Sequence, residues 1–149
     1  MPVVRGLDFP GELLYFVERH VWVREEGGGI ITVGLTALGS ALAGDILAFT
    51  PKRPGTTVER DRAIGVIEIS KVASSVRSPA NGVIQAANPD LETRPGLVNR
   101  DPYGAGWLVR IEASRWNEDK ALLTGGAALA SAIEEAMTLE GYQPAGERK

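Results

Sequence analysis

Short apolar runs separated by Gly, Pro and polar residues fill the first three-quarters of the chain and predict many short β-strands. His20–Arg24 has the alternation of a strand, Glu25–Gly29 has the composition of a turn, and Ile30–Gly34 resumes the apolar pattern. This arrangement predicts a β-hairpin. The polar stretch 88–101 contains two prolines and predicts a long loop or a helical turn. Further strands are predicted over residues 45–49, 63–69, 72–76, 83–86 and 106–112.

A short helix is predicted in the N-terminal half, and further helices follow the last strand. Three leucines supply the helical spacing of three and four residues: Leu35, Leu38 and Leu42. Thr36 can cap this helix and Gly44 can end it. Near the C-terminus, Gly125-Gly126 divides two helical pieces. The second piece has one apolar face that predicts packing on the core: Leu129, Ile133 and Met137.

These patterns predict a single domain over residues 1–142, mostly β with a helical C-terminal appendage. Its core is expected over about residues 9–112, and its C-terminal helices over about residues 115–140. Residues 143–149 have little apolar surface to bury and are expected to form a flexible tail.

The composition is that of an ordinary globular protein and excludes several kinds of partner. The chain has 149 residues, of which 44% are hydrophobic, and 16 Lys and Arg against 19 Asp and Glu give a net charge of -3. A nucleic-acid binder normally carries a basic excess, so no nucleic acid is expected. No apolar run approaches the ~18–20 residues that span a membrane, and Met1–Pro10 lacks the pattern of a signal peptide. We therefore expect a cytoplasmic protein without a membrane partner.

The scarcity of reactive side chains restricts the chemistry. The chain has no Cys, which excludes disulfides, thiolate nucleophiles and Cys-ligated metals. Its one His is His20, which excludes a multi-histidine metal site, and it has no glycine-rich phosphate loop. We therefore expect neither a metal site nor an independent catalytic centre. Any redox or transfer chemistry would need a borrowed reactive group.

One segment carries a lone lysine between two predicted strands. From Ala63 to Val76 the only charged residues are Glu68 and Lys71, and Lys71 falls where the two strands meet. Two interpretations of Lys71 stay open from these residues alone. A lysine can lie along apolar surface with its charge in water and no further role. A tight hairpin tip is also a good place to present one amine to another enzyme, because the strands fix its position while its stem moves.

This segment resembles the lipoyl-attachment hairpin of the H protein of the glycine cleavage system. That family's pattern runs roughly Val-Glu-Ser-Val-Lys-Ala-Ala-Ser, then Ser-Pro and a following Gly. The matching frame here is Ile67-Glu68-Ile69-Ser70-Lys71-Val72-Ala73-Ser74, then Ser78-Pro79 and Gly82. Other segments resemble the family in the same order, from about Phe9 to Ile111: His20-Val21-Trp22-Val23, Val33-Gly34-Leu35-Thr36, Gly44-Asp45-Ile46, Leu97-Val98-Asn99, and Asp101-Pro102-Tyr103-Gly104 with Gly106-Trp107-Leu108.

The resemblance implies a fold, a cofactor and a role. The fold is a flattened barrel-sandwich hybrid of the biotinyl/lipoyl type, with a short helix in the N-terminal half and helices at the C-terminus. Lys71 would carry lipoic acid as a covalent lipoyl-lysine, whose dithiol/disulfide couple moves a reaction intermediate between client enzymes on a swinging arm. The protein would be a non-catalytic carrier. Its partners would be a lipoate ligase, or an octanoyltransferase and lipoyl synthase, and clients that include a dihydrolipoamide dehydrogenase.

Further residues receive expected roles beside Lys71. Glu68 and Ser70 are expected to help the lipoylating enzymes recognise the attachment site, although Glu68 also fits a solvated charge at a strand end. His20 is expected either to line a cleft for the arm or to be structural. Three basic residues are candidates for contacts with client enzymes, or are ordinary solvated charges: Lys52, Arg53 and Arg77.

Two acidic positions of the family are missing from this chain, and they bear on the cargo of the arm. Glycine-cleavage H proteins carry a cationic aminomethyl group on the reduced arm, and acidic residues in a surface cleft would stabilise it. The two positions suited to this are occupied by Val21 and Ser75. We therefore favour an H-protein-like lipoate-binding protein of the heterodisulfide-reductase-like sulfur oxidation system, whose arm carries sulfur.

Other interpretations of the hairpin stay open. The first is an ordinary glycine cleavage H protein that carries the aminomethyl group. The others are a carrier in a relay that passes lipoyl groups to other proteins, and an unmodified scaffold. A biotin carrier is disfavoured, because such domains usually have Met beside the modified lysine and Lys71 lies between Ser70 and Val72.

Overall fold

The structure is a computed structural model that describes residues 3–144. Within these residues, the strands are β1 (Val3–Val4), β2 (Leu7–Asp8), β3 (Leu14–Phe16), β4 (Val21–Gly27), β5 (Ile30–Leu35), β6 (Ala48–Pro51), β7 (Thr57–Val58), β8 (Ala63–Glu68), β9 (Ala73–Arg77), β10 (Gly82–Ala87) and β11 (Val109–Ala113). The α-helices are α1 (Ala37–Ala43), α2 (Leu97–Arg100), α3 (Trp116–Lys120) and α4 (Leu129–Glu140). Short 3-10 helices cover Val17–Arg19, Pro89–Glu92 and Gly126–Ala128.

Two antiparallel sheets form the body of the domain. The larger sheet has six strands in the order β3-β4-β5-β11-β10-β7, and the smaller has three strands in the order β6-β8-β9. Strands β1 and β2 pair separately. The two sheets enclose one core, with Val33 and Ile111 from the larger sheet and Ile64 and Val76 from the smaller. Two sheets around a shared apolar core make a sandwich, which agrees with the predicted mostly β class.

Strand β4 divides its side chains between two cores. Val21 and Val23 point into the core between the sheets, while Trp22 points to the opposite face, because successive side chains of a strand alternate. Trp22 belongs to a second core that α4 closes with the three residues predicted to pack: Leu129, Ile133 and Met137. The predicted packing of the C-terminal helix is therefore confirmed.

The predicted helix of the N-terminal half forms between its two predicted end residues. Thr36 precedes α1, and its Oγ1 accepts a hydrogen bond from the N–H of Gly39 at 3.1 Å. Gly44 ends the helix with a φ of 77°, and its N–H donates to the carbonyl of Ser40. The helix buries Leu38 in the second core and leaves Leu42 at the surface.

Strand boundaries differ from the prediction where other groups bind the backbone N–H groups. The strand predicted over 45–49 begins only at Ala48, because the N–H of Ile46 donates to Oδ1 of Asn99 at 3.0 Å. The strand predicted over 106–112 begins at Val109, because the N–H of Trp107 donates to the carbonyl of Gly104 at 3.2 Å in a turn. Periodicity does not predict β1, β2, β3 or β7, since two or three residues are too few to show a period.

The C-terminal part contains α3 and α4, and Gly125-Gly126 lies between them as predicted. None of the helices in residues 3–144 combines the length and the apolar character that crossing a bilayer requires. Of the tail predicted over 143–149, residues 145–149 lie outside the described residues.

Candidate functional site: the Lys71 hairpin and its cleft

The hairpin of β8 and β9 presents Lys71 at its tip. Its last ladder pair joins Glu68 to Ala73, and the N–H of Ile69 then donates to the carbonyl of Val72 at 3.0 Å. Ser70 and Lys71 are the two residues beyond this hydrogen bond. The predicted hairpin is therefore present, and the ladder holds its tip in a defined position.

The side chain of Lys71 is exposed, and it makes no hydrogen bond or ion pair with any of residues 3–144. A lysine that lay along apolar surface would instead bury its stem. Val72, beside it, is 60% exposed although it is apolar. The ε-amine is thus free to be acylated, and acylation would break no contact of the folded protein.

Glu68 and Ser70, the two predicted recognition residues, are also exposed near this tip. The backbone carbonyl of Glu68 accepts a hydrogen bond from the N–H of Leu47 at 2.8 Å, which ties the end of β8 to the segment before β6. Its carboxylate makes no hydrogen bond or ion pair with residues 3–144. A modifying enzyme could therefore reach both side chains, and their role in recognition stays a prediction.

A cleft of about 300 Å³ opens beside the tip. Its walls come from three parts of the chain: the hairpin, α1, and the segment around His20 together with the end of α4. The lining residues are Arg19, His20, Leu35, Gly39, Leu42, Ala43, Ile67, Ile69, Val72, Ser74, Ser75, Val76 and Glu140. An apolar wall with a few polar groups fits a hydrocarbon arm that ends in a polar or charged cargo.

His20 lies at the wall of this cleft and also has a structural role. Its backbone is left-handed, with φ of 61°, and its carbonyl accepts a hydrogen bond from the N–H of Thr36 at 2.8 Å. Its Nε2 lies 3.2 Å from Oε2 of Glu140, while its buried Nδ1 has no hydrogen-bond partner among residues 3–144. The two expectations for His20 are therefore compatible, and its contact with a bound arm stays a prediction.

The two positions that lack the family's acids differ in their surroundings. Val21 is 0% exposed and belongs to the core between the sheets. Ser75 is exposed and lines the cleft. An acid at position 75 would therefore face the cleft, whereas an acid at position 21 would need the surrounding structure to change.

Arg19 lines the same cleft, and its guanidinium is hydrogen-bonded to Asp61, which does not line the cleft. Its guanidinium donates to both carboxylate oxygens of Asp61, at 2.7 Å and 3.2 Å. The hydrogen bond from Arg19 holds the pKa of the Asp61 carboxyl below its usual range, with smaller effects from the charges of Arg19, Arg77 and Arg60. The same carboxylate lies 3.7 Å from the guanidinium of Arg77, so Asp61 is shared between the two arginines.

The three basic residues predicted to meet client enzymes do not lie beside Lys71. The N–H of Lys52 donates to the carbonyl of Ile64, and Arg77 pairs with Ala63, so these residues lie at the other end of β8. Ser70 at the tip lies six positions after Ile64, which is about 20 Å at ~3.3 Å per residue. Arg77 also donates to the carbonyl of Asp61 at 2.7 Å. Lys52 and Arg77 therefore do not flank the attachment site, and contact of Lys52, Arg53 or Arg77 with client enzymes stays a prediction.

Several motifs of the resemblance outside the hairpin have structural roles. Nε1 of Trp22 donates to the carbonyl of Pro102 at 2.9 Å. Nδ2 of Asn99 donates to the carbonyl of Gly44 at 2.7 Å, so two motifs that are distant in sequence hold each other. These contacts fix the loop between β10 and β11 against α1 and β4. These motifs outside the hairpin are therefore typical of the fold, whereas the hairpin motif is the one that predicts a cofactor.

Comparison with known proteins assigns the family. The sequence profile described as "Glycine cleavage H-protein" matches residues 14–135. The chain belongs to this family. Its proteins carry lipoate attached covalently to a lysine and are non-catalytic lipoyl carriers. The expected cofactor and the expected carrier role are thereby confirmed.

Individual H proteins are similar to this chain over most of its length. A "Probable glycine cleavage system H protein 2" from Sulfurisphaera tokodaii is 40% identical over 136 residues, which cover 90% of this chain and 92% of that protein. "Glycine cleavage system H protein 5" from Aquifex aeolicus is 34% identical over 147 residues, which cover 96% and 99%. The crystal structure of a glycine cleavage system H protein from Mycobacterium marinum has a TM-score of 0.71 and 27% identity, with 90% of this chain and 100% of that chain covered.

These relatives change the balance between the two pathways considered for an H protein. The barrel-sandwich hybrid implied by the resemblance is confirmed by the Mycobacterium marinum structure. The relatives are named for glycine cleavage, and none of those named here supports the sulfur oxidation pathway that the missing acids favoured. The missing acids concern positions 21 and 75, whereas residues from distant parts of the sequence also line the cleft.

Glu140 is an acidic residue of the cleft that the sequence pattern did not single out. It is the last residue of α4 and lies three positions after the buried Met137. Residues three apart share a face of a helix, so Glu140 lies at the edge of the packed face. An acidic residue at the edge of an apolar helix face was the only feature of the sequence that could have pointed to Glu140. The element against which this face packs was not evident from the sequence.

Proposed function

We propose that this H protein is the lipoyl carrier of a glycine cleavage system, lipoylated on Lys71, and that its arm carries the aminomethyl intermediate between client enzymes. The observation that supports this most directly is the position of Lys71. It is an exposed, unpaired amine at the tip of a laddered hairpin, beside a cleft, in a chain whose residues 14–135 match the family.

The chain itself presents Lys71 to other enzymes and offers a cleft that shelters the cargo of the arm. The ladder between β8 and β9 keeps the tip extended from the body, so an enzyme can reach Lys71 without unfolding the protein. Amide formation at Nζ would remove the positive charge of the lysine. The lipoyl group supplies a dithiol/disulfide couple, which accounts for sulfur chemistry in a chain without Cys. The cleft beside the tip offers a place that limits the access of water to a bound cargo.

The proposed partners follow from this role. A lipoate ligase, or an octanoyltransferase followed by lipoyl synthase, would install the arm. These enzymes would recognise the attachment site through Glu68 and Ser70. A glycine decarboxylase would load the oxidised arm: the aminomethyl carbon would bond to one sulfur of the disulfide as carbon dioxide leaves, and the other sulfur would become a thiol. After a client enzyme has removed the aminomethyl group, a dihydrolipoamide dehydrogenase would reoxidise the resulting dithiol. All of these enzymes would approach the tip, where the exposed apolar residues are Leu47 and Val72.

One intact-mass experiment tests the proposal. The protein is produced with lipoylation enzymes, and its mass is measured before and after incubation with glycine and a glycine decarboxylase. We expect a lipoyl adduct on Lys71 that gains an aminomethyl group. An adduct that stays unloaded would contradict the glycine cleavage assignment. The absence of any adduct would contradict the carrier assignment and would favour an unmodified scaffold.

A second candidate function is the sulfur-carrying arm of the sulfur oxidation system. The observation that favours it is local: position 21 is a buried valine and position 75 is a serine, so neither acid of the family lines this cleft. This candidate predicts that the lipoylated protein stays unloaded with glycine and gains the mass of sulfur from a persulfide donor. Transfer of the whole lipoyl group to an acceptor protein would instead indicate a lipoyl relay.

A further inference from the structure

Glu140 brings a carboxylate into the cleft from a part of the chain distant from the hairpin. Among the described residues that line the cleft, it is the sole acid. Its side chain is 44% exposed, so it lies at the rim, where both solvent and a bound group can reach it. A carboxylate therefore lies in the cleft although positions 21 and 75 carry none, because α4 supplies it.

The end of α4 is fixed, so Glu140 does not lie on a fraying terminus. Gly141 is left-handed, with φ of 69°, and its N–H donates to the carbonyl of Thr138. The N–H of Tyr142 donates to the carbonyl of Met137 at 2.8 Å, which completes a glycine C-cap. Arg5 adds hydrogen bonds to the same helix end, at 2.7 Å to the carbonyl of Tyr142 and at 2.9 Å to Oγ1 of Thr138.

His20 holds one oxygen of this carboxylate and leaves the other available. Nε2 of His20 lies 3.2 Å from Oε2 of Glu140. Oε1 of Glu140 makes no hydrogen bond to any of residues 3–144. The His20 backbone is itself fixed, since its N–H donates to the carbonyl of Val17 at 3.2 Å. The pair therefore presents one acceptor oxygen in a defined position.

The rest of the cleft favours a cation on an apolar stem. Apolar residues of the hairpin and of α1 supply much of the wall, including Ile67, Ile69 and Leu42. The guanidinium of Arg19, which also lines the cleft, is hydrogen-bonded to Asp61 and not to Glu140. An ammonium group that leaves water for such a site needs an anionic acceptor, and a charge-assisted hydrogen bond to a carboxylate is a strong one.

We propose that Glu140 is the carboxylate that binds the ammonium of the aminomethyl cargo in this cleft, with His20 as the residue that positions it. This inference rests on the proposed glycine cleavage function. It assigns to α4 the counter-charge that the sequence lacks at positions 21 and 75. The arm would bind along the apolar wall, with the cationic end at the rim where Glu140 lies.

The test uses the lipoylated protein with its arm reduced, and the cargo is installed without any client enzyme. Formaldehyde and ammonium condense with one thiol of the arm to give a thioether-linked aminomethyl group, with loss of one water. Hydrolysis reverses this reaction and returns the thiol, formaldehyde and ammonium. After removal of the excess reagents, intact mass follows the fraction of protein that keeps the adduct over time.

Two variants with the same change of charge are compared. Glu140→Gln removes the charge in the cleft and keeps the side-chain shape. Glu135→Gln removes an exposed charge on the same helix that does not line this cleft. We expect the lifetime of the adduct to fall about threefold to tenfold in Glu140→Gln, since a partly exposed charge-assisted contact is being removed. The lifetime in Glu135→Gln is expected to equal that of the unsubstituted protein.

Two further measurements separate a charge effect from a structural one. The double variant Glu140→Gln/Ser75→Asp has an acid on another wall of the cleft. We expect the lifetime of its adduct to recover toward that of the unsubstituted protein. In ¹H-¹⁵N spectra, loading should shift the backbone amides of His20 and Glu140 in the unsubstituted protein. The amide of residue 140 should shift less in Glu140→Gln. The melting temperatures of the unloaded variants report whether each variant is folded.

The outcomes distinguish this inference from the function on which it rests. Equal adduct lifetimes in Glu140→Gln and in the unsubstituted protein would overturn the role of Glu140, even if glycine decarboxylase loads both proteins. A shortened lifetime in both Glu140→Gln and Glu135→Gln would also overturn it, because the effect would then be one of general surface charge. Failure of glycine decarboxylase to load a protein whose chemically installed adduct depends on Glu140 would contradict the proposed function alone.

Discussion

Trp22 packs directly on Gly34 across the ladder between β4 and β5. The two residues are a cross-strand pair, and the indole ring occupies the space that a side chain at position 34 would need. The ring is fully buried, and its Nε1 donates to the carbonyl of Pro102. A side chain at position 34 would collide with the indole of Trp22. This explains why the Trp of one family motif occurs together with the Gly of another.

We expect Gly34→Ala to destabilise the protein by about 2 kcal/mol, because an added methyl group would overpack a filled core. In a protein of this size that corresponds to a fall in melting temperature of about 4–8 °C. The matched control is Gly96→Ala, whose new methyl group would meet only the end of the flexible Arg100 side chain. Thermal unfolding of both variants checks the prediction, and equal melting temperatures would refute it.

Lys71→Arg should abolish lipoylation while it preserves the charge and the fold, because a guanidinium does not form the amide. The measurement is intact mass after co-production with lipoylation enzymes. Lys52→Arg is the control, since Lys52 lies at the other end of the hairpin. An adduct of unchanged yield on Lys71→Arg would place the attachment site elsewhere in the chain.

Glu68→Gln should slow lipoylation by about threefold to tenfold without preventing it, if the modifying enzyme forms a charge-assisted contact with the exposed carboxylate. The initial rate of adduct formation with a purified lipoate ligase measures the effect. Glu59→Gln, an exposed carboxylate away from the tip, should leave the rate unchanged. A rate for Glu68→Gln equal to that of the control would mean that Glu68 is a solvated charge only.

Val21→Glu and Ser75→Asp should behave differently, although both restore an acid of the family pattern. Val21 is fully buried among apolar side chains, so a carboxylate there should cost about 3 kcal/mol or more of stability. Ser75→Asp places its charge at an exposed cleft position and should change stability by less than about 0.5 kcal/mol. Urea unfolding of the two variants tests this, and similar midpoints would show that the core around residue 21 can open.

The carboxylate of Glu25 should contribute to stability in a pH-dependent way. Hydrogen bonds from Nε1 of Trp116 and then from Nζ of Lys120 hold the pKa of Glu25 below its usual value. Because the pKa is lowered in the folded protein, this stabilisation is present above the usual pKa of a glutamate and is lost as the pH falls through the folded value.

Glu25→Gln should therefore reduce the acid-side dependence of the free energy of unfolding. The measurement is a series of urea unfolding curves between about pH 6 and pH 3. Glu112→Gln, which removes an exposed carboxylate on β11, serves as the control. A slope in Glu25→Gln as steep as that of the control would contradict the prediction.

The sequence predicted local features well, because adjacent residues carry the information for them. Thr36 and Gly44 mark the two ends of α1, and Lys71 marks the tip of its hairpin. Element boundaries were less accurate wherever a distant side chain binds a backbone N–H group. Asn99 at Ile46 is such a case, because a contact over 53 positions leaves no local pattern.

The family was determined by the sequence alone, since its motifs occur in order along the chain, and the residues around Lys71 predict the attachment site. The charge of the cleft was decided only by the tertiary structure. Val21 faces the core because β4 alternates around the buried Trp22, and Glu140 meets His20 across 120 positions because α4 packs on the second core. The positions that lack the family's acids lie on the hairpin and β4, whereas packing brings the acid at the end of the last helix to the cleft.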